Sequence, residues 1–248
     1  MEHELFIKQL KPSIYLFDED HSASGYLVVG ENKACLIDTM NGYCNLYEAV
    51  RKITDKPIIV VNTHGHPDHI FGNIYFDNAF MNPADNELAE SFTNIPEFAD
   101  ACKKYGFSIP PFTPITEGDV IDLGGKTLEI YNIPGHTQGS ILLLLKEDRI
   151  LFVGDSINHH LWMQVPGATK MDEFVEEKAD FILHGHANDF DDISLLRCVR
   201  QGALEICNEK TQDDKPYNWF GGIALQHPFS LEEGKQYSQT DSVICYNR

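Results

Sequence analysis

The sequence predicts an α/β protein in which blocks of strands alternate with helices. Three observations predict it. Short β-rich runs separated by turns fill Ser13 to Ile37 and return between Asp119 and Val153, helical periodicity follows each block, and Ile58–Val61 is an unbroken apolar run of strand length.

The elements follow in order. Ser13 to Phe17, Tyr26 to Val29 and Ala34 to Ile37 are separated by turns such as Gly30-Glu31-Asn32, the pattern of an antiparallel meander. From Cys44 to Ile53 the apolar Leu46, Ala49, Val50 and Ile53 recur at three- and four-residue intervals on one helix face, and Pro57 stops any continuation. Ile58–Val61 reads as a strand buried on both faces, with the polar stretch Asn62 to His69 at its carboxyl end. Asn82-Pro83-Ala84-Asp85 joins a capping side chain to a proline at the first helical position, opening a helix to about Phe92. Thr93 to Pro114, with Pro96, Pro110, Pro111 and Pro114 among Phe98, Tyr105, Phe107 and Phe112, reads as an irregular aromatic stretch and a candidate lid over residues 93–114. Turns at Gly124-Gly125 and Glu147-Asp148 divide the second β-rich block. Asp191 is expected to cap a helix carrying Ile193, Leu196, Val199, Ala203 and Ile206 on one side. The tail, Asn218 to Asn247, contains a Gly221-Gly222 pair and the strand-like Ser242 to Tyr246.

Composition narrows the function. Of 248 residues 42% are hydrophobic and 11% aromatic, enough to close a substantial core and too apolar for wholesale disorder. No repeat, low-complexity tract or long Gly/Ser linker interrupts the chain, so one continuous domain over residues 1–248 is expected. A formal charge of −19 opposes binding to a phosphate backbone, and no nucleic-acid partner is expected. The longest apolar run, Ile141–Leu145, is strand-sized against the roughly 18 residues of a membrane span. Met1 to Leu10 carries Glu2 and Glu4 and lacks an apolar signal region, so the cytoplasm is the expected compartment and no membrane is expected. Cys35, Cys44, Cys102, Cys198, Cys207 and Cys245 lie far apart with no Cys-x-x-Cys pair, which points to free thiols rather than disulfides or a thiolate zinc site.

The chemistry concentrates in His64-Gly-His66-Pro-Asp68-His69. At this composition the pattern His-x-His-x-Asp-His arises by chance about 0.002 times in such a chain, so a solvated polar turn is a poor account of it. Residues two apart in an extended segment point to one side, so His64 and His66 can grip one cation while Asp68 and His69 face another. Neutral imidazole and carboxylate without thiolate suit Zn²⁺ ahead of Fe²⁺ or Mn²⁺. His136, Asp155 and His186 each follow an apolar strand and can complete the set; each alone would be read as a structural residue.

From about Pro12 to His186 these residues resemble the metallo-β-lactamase superfamily of metallohydrolases. The family order is an Asp behind the ligands, His-x-His-x-Asp-His, a His in Gly-His-Thr-x-Gly-Ser, a Gly-Asp and a late Gly-His. Here it falls on Asp38; on His64, His66, Asp68 and His69; on His136; on Asp155; and on His186. The resemblance implies that His64, His66 and His136 hold one metal, that Asp68, His69 and His186 hold a second, and that Asp155 bridges them. It also implies a four-layer αββα sandwich of mixed, largely antiparallel sheets, with the metals at one edge between them.

The resemblance implies that two divalent cations held there would share a water and bring its pKa toward about 7, so that a bridging hydroxide would be the expected nucleophile. Asp68 is the candidate catalytic residue that takes the proton of that water, and Asp38 fixes an imidazole or backbone turn. His66 in place of Glu separates the chain from flavodiiron oxygen reductases, and Asp155 in place of Cys separates it from true zinc β-lactamases. The glyoxalase II and lactonase branches remain. The expected function is a dinuclear metal-dependent hydrolase of an ester-type bond, thioester or lactone, in a small molecule. A phosphodiesterase or nuclease of the same fold, and a non-catalytic metal-binding or sensing module, are the rivals.

His159, His160 and Trp162 follow Asp155 closely and are candidate pocket residues. The Gly-His pattern favours His186 over His184 as ligand. Arg197, Arg200 and Lys210 are expected on one helix, either solvated or facing an acidic substrate. Between Asp155 and His186 only Lys170 to Lys178 has helical character, about 13 Å at 1.5 Å per residue, so the helix layer there is expected to be short.

Overall fold

A computed structural model describes residues 3–165, 173–219, 222–239 and 241–247. The chain opens with four antiparallel strands, β1 (Leu5–Lys11), β2 (Ile14–Glu19), β3 (Ala23–Val29) and β4 (Ala34–Ile37), the expected meander. Helix α1 (Leu46–Arg51), capped where Asn45 Oδ1 accepts from the Glu48 amide, then crosses over. It lets β5 (Ile58–Val61) pair with β4 in parallel, a pairing no tight turn can make. β6 (Ala79–Met81) and β7 (Phe112–Pro114) add in parallel, and the seven strands lie in chain order. Helix α2 (Pro67–Ile70) follows β5 directly.

Asn82 caps as expected, its Oδ1 accepting from the Ala84 amide at 3.0 Å ahead of Pro83, but the first turn, Pro83–Asp85, is 3₁₀ and the α-helix α3 (Asn86–Thr93) continues from it. The stretch 93–114 is not irregular throughout, because helix α4 (Pro96–Tyr105) occupies its centre. Pro96 sits at the first helical position, where its missing N–H is no loss, and Gly106 closes the helix at φ 73°. Reading the four prolines as breakers hid that start. Phe98 of α4 stacks on Phe71 at 3.8 Å, so the segment is packed onto the body.

The second sheet uses β8 (Val120–Asp122), β9 (Thr127–Asn132), β10 (Ile141–Leu145) and β11 (Ile150–Gly154). Beyond strand β12 (His160–Met163) and helix α5 (Glu173–Glu176), it continues with β13 (Phe181–His184) and β14 (Asp191–Asp192). The order is β14-β13-β11-β10-β9-β8, with β11 and β13 parallel and the other pairs antiparallel. Of the expected helical stretch Lys170 to Lys178, Lys170, Met171 and Asp172 lie outside the described residues and Glu173–Glu176 is helical. Helix α6 (Ser194–Cys207) starts after Ile193, which has no side-chain capping bond, and Asp192 Oδ1 just ahead of it accepts from the Ser194 amide at 2.9 Å. Asp191, the residue expected to cap it, is wholly buried elsewhere.

Burial alternates along the strands and sets the layers. Ile14, Tyr26, Val28 and Val61 of the first sheet meet Ile130, Ile141, Leu143, Phe152 and Leu183 of the second. The outer face of the first sheet, Leu27, Leu36 and Val60, packs under Leu46, Ala49 and Val50 of α1. The outer face of the second, Leu142, Leu144, Leu151 and Ile182, packs under Leu195, Leu196 and Val199 of α6. The stack is therefore helix, sheet, sheet, helix. Leu143 is fully buried between the sheets, and Leu143→Ala is expected to cost about 2–5 kcal/mol. The loss should appear as a lower urea midpoint at unchanged m.

A third sheet lies outside α6 and was not foreseen. β12 pairs in parallel with β17 (Val243–Tyr246), followed by β16 (Gly222–Pro228) and β15 (Lys215–Trp219). Its residues Leu161 and Ile244, with Phe229 just past β16, join the apolar cluster over α6. Of the tail only Ser242 to Tyr246 reads as a strand in sequence, and it becomes β17. Gly221 of the expected Gly-Gly turn lies outside the described residues, and Gly222 opens β16. Among the described residues no helix is long and apolar enough to cross a membrane. All six cysteines are free.

Candidate metal centre

Each residue expected to bind metal sits just past the carboxyl end of a strand. Asp38 follows β4, His64 follows β5, and His66, Asp68 and His69 lie at or in α2. His136 follows β9, Asp155 follows β11 and His186 follows β13. Because the two sheets face each other, these ends meet along one edge.

Three nitrogens converge first. His66 Nδ1 lies 3.0 Å from His64 Nε2 and 2.9 Å from His136 Nε2. Burial and the neighbouring imidazoles hold all three well disposed to stay neutral: His64 far below its ordinary range, His66 pushed down to about 4, and His136 lowered. Neutral imidazole is the form that binds a metal.

The second group is richer in acid. Asp68 Oδ2 lies 3.7 Å from His69 Nε2 and 3.7 Å from His186 Nε2. Asp155 stands between the two groups, its Oδ2 3.2 Å from His186 Nε2 and 3.6 Å from His136 Nε2, its Oδ1 3.5 Å from His69 Nε2. His186 is raised to about 9 chiefly by the Asp155 carboxylate. Burial opposes a charge on His69, yet Asp68, Asp38 and Asp155 outweigh it and hold its pKa well above the usual range. Burial likewise opposes charge on Asp155, and His186 and His69 overcome it.

The back of each ring is anchored. His69 Nδ1 donates to Asp38 Oδ2 at 2.9 Å, and Asp38 also accepts from the Thr63 amide and hydroxyl at 2.7 and 2.8 Å. With its proton given to Asp38, Thr63 Oγ1 accepts from His64 Nδ1 at 3.0 Å. His136 Nδ1 donates to the Trp162 carbonyl and His186 Nδ1 to the Ser22 carbonyl, both at 2.7 Å. These bonds leave His64, His69, His136 and His186 presenting Nε2 inward.

These residues fit divalent cations on two counts. His69 Nε2 and Asp155 Oδ1 are buried with no hydrogen-bond partner, an arrangement that is costly unless something bonds both. The donors also fall into two triads, His64/His66/His136 and Asp68/His69/His186, with each triad's atoms within 4.8 Å of one another.

The metal-free chain should therefore respond to pH on both sides of neutrality. His186, raised to about 9, contributes stability that is complete below 6.5 and lost as pH rises through about 9. His66, lowered to about 4, contributes stability that is complete above 6.5 and lost as pH falls through about 4. The urea midpoint of chelator-treated protein is expected to peak near pH 6.5, and a midpoint still rising at pH 9 would contradict the site's electrostatics.

The candidate pocket residues separate. Trp162 touches the site through its carbonyl on His136. His160 packs against Trp162 and Tyr217 and reaches Cys245 Sγ at 3.3 Å. His159 is wholly buried, its Nε2 3.4 Å from Asp191 Oδ1, so it lines no open pocket. Arg197 is engaged with Glu176 at 2.7 Å and Glu232 at 3.0 Å, which ties α5 and the tail to α6, and Lys210 lies past the end of that helix.

His159, His184 and Asp191 form a second cluster that sequence reasoning passed over. Its bonding argues for a brace. The His186 amide donates to His184 Nδ1 at 3.2 Å, so His184 carries its proton on Nε2 and gives it to Asp191 Oδ2 at 3.1 Å. A cation on Nε2 would set two donors against each other at Nδ1. No local sequence signal marks this group, because its members lie on β13, on β14 and in the turn just before β12.

Comparison with known proteins agrees with this geometry. A model of the metallo-beta-lactamase superfamily matches residues 19–191. An acyl-coenzyme A thioesterase, MBLAC2, of Gallus gallus is 29% identical over 165 residues, covering 57% of this chain and 60% of that protein. A hydroxyacylglutathione hydrolase of Hyphomonas neptunium is 31% identical over 139 residues, covering 54% of this chain and 47% of that protein. The chain thus spans about half to three fifths of the length of these curated relatives. A crystal structure of a metallo-beta-lactamase family protein from Thermus thermophilus superposes with TM-score 0.51 at 20% identity, covering 86% of this chain and 84% of that one, a likeness of fold.

Proposed function

The chain belongs to the metallo-beta-lactamase superfamily, and from that membership we propose that it is a dinuclear metal-dependent hydrolase acting on thioesters of small molecules in the cytoplasm. The observation that carries the reading is the pair of triads with Asp155 standing between them, 3.6 Å from His136 and 3.2 Å from His186, while His69 Nε2 and Asp155 Oδ1 are buried without hydrogen-bond partners. His64, His66 and His136 would hold one ion and Asp68, His69 and His186 the other, with Asp155 reaching both. An all-nitrogen-and-oxygen donor set favours zinc, and six free thiols suit a reducing compartment.

Bound there, two such cations supply Lewis acidity toward a carbonyl oxygen and acidify a water. The chain's own groups do the rest. The anchored imidazoles keep their inward nitrogens fixed, so little reorganisation accompanies charge development. Asp68, whose side chain is 32% exposed, is the carboxylate most open to incoming substrate and can accept the proton of an attacking water. Phe92 meets the His66 ring edge-on at 5.8 Å and gives the approach an apolar wall.

Thioesters lead because the relatives are named as a thioesterase and as a hydrolase of an acylated glutathione. A charge of −19 disfavours a nucleic-acid substrate. The test is turnover by zinc-loaded protein of acyl-coenzyme A, hydroxyacylglutathione, a lactone, a β-lactam and a phosphodiester. The expected result is highest kcat/KM on a thioester; a phosphodiester preferred over every ester would defeat the substrate reading.

A further inference from the structure

We propose that Asp85 is a positioning residue that locks the two loops carrying the His64/His66/His136 triad into one unit, an inference that rests on the dinuclear reading above. In sequence Asp85 belongs to a helix-opening turn. In the fold it is 1% exposed and turned into the gap between the His64–His66 segment and the His136 loop.

Its carboxylate is spent entirely on those two loops. Oδ2 accepts from the amide of Gly65, the residue between His64 and His66, at 2.9 Å. The same oxygen accepts from the hydroxyl of Thr137, next to His136, at 2.6 Å, and Oδ1 accepts from the Gly139 amide at 2.6 Å. Ser140 supports the loop, its Oγ accepting from the Thr137 amide at 3.1 Å and lying 2.7 Å from Thr137 Oγ1. One anion thus spans two segments whose imidazoles, His66 and His136, are 70 positions apart in the chain.

Both glycines are there to admit it. A Cβ on Gly139 would lie 2.7 Å from Asp85 Cγ, and one on Gly65 would lie 3.0 Å from the Asp85 carbonyl oxygen. Backbone approaches this close leave the loops no freedom to slide, so the spacing of His64 and His66 from His136 is set through their backbones. An asparagine cannot replace the carboxylate, because its amide nitrogen would face N–H or O–H donors that need an acceptor.

The experiment compares the unmodified chain with Asp85→Asn and Thr137→Val, each stripped of metal. Zinc affinity is measured by competition with a chromophoric chelator, coordination geometry by the visible absorption of the Co²⁺ forms, and apo stability by urea. Asp85→Asn is expected to weaken one of the two zinc equivalents by about 10–100-fold and to change the Co²⁺ spectrum. Thr137→Val, nearly isosteric and missing one of the three donors, is expected to weaken the same equivalent less, at a nearly unchanged urea midpoint. Should Asp85→Asn fail to fold, Thr137→Val decides alone. Variants that bind both equivalents as the unmodified chain does would overturn this inference even if their apo stability falls. An unmodified chain that binds no zinc would overturn the dinuclear reading and this inference with it.

Discussion

Asp155→Asn is expected to lower kcat/KM by about 10³-fold or more, equivalent to about 4 kcal/mol of transition-state stabilisation, and to leave the purified protein short of metal at both triads. The reason is its position. Asp155 is the only carboxylate among the described residues whose two oxygens reach His69, His136 and His186, so its loss removes a donor shared by both groups. The change should also be visible without metal. The Asp155 carboxylate is the largest cause of the His186 pKa of about 9, so in the variant that value should fall toward 6.5, as followed by NMR of the ring protons. Metal content equal to that of the unmodified chain, with His186 still near 9, would show that Asp155 is not the shared group.

Chelation is expected to have the second large effect. Removing divalent ions at pH 7 should abolish turnover and reduce unfolding free energy by about 4 kcal/mol where the free ion had stood at about 1,000 Kd. Returning Zn²⁺ should restore both. Cations held there would supply the partners that His69 Nε2 and Asp155 Oδ1 lack and would offset the charge of the carboxylates, which is the expected source of the stabilisation. In their absence protons on His69 and His186 take over part of that role. Metal uptake should accordingly release protons, with apparent affinity rising with pH up to about 9, measurable by calorimetry in buffers of different ionisation enthalpy. A chelator-treated protein with an unchanged urea midpoint would argue against a bound metal pair.

Much of the candidate centre is legible in the sequence because its proposed ligands sit in short, dense patterns at strand ends. His64-x-His66-x-Asp68-His69 is improbable by composition, and Gly-His and Gly-Asp after apolar runs placed His136, Asp155 and His186. Helix α4 was missed because the weight of four prolines hid the one that begins a helix. The third sheet was missed because β12 and β17 are short and pair across most of the carboxyl-terminal third of the chain. His159 reads as a pocket residue on proximity to Asp155 alone, whereas in the turn before β12 its ring is buried 3.4 Å from Asp191.

By itself the sequence determined the alternation of strands and helices, the residues proposed as ligands and the absence of thiolates from among them. Those are local or compositional properties: hydrophobic period, residue spacing and donor chemistry are written along the chain. Only the tertiary structure decided which residues hold the ligands in place. Asp85, Asp191 and His184 are inconspicuous in sequence, and each becomes a brace only because packing two sheets face to face brings segments distant in the chain within hydrogen-bond range, where burial makes every unpaired donor or acceptor costly.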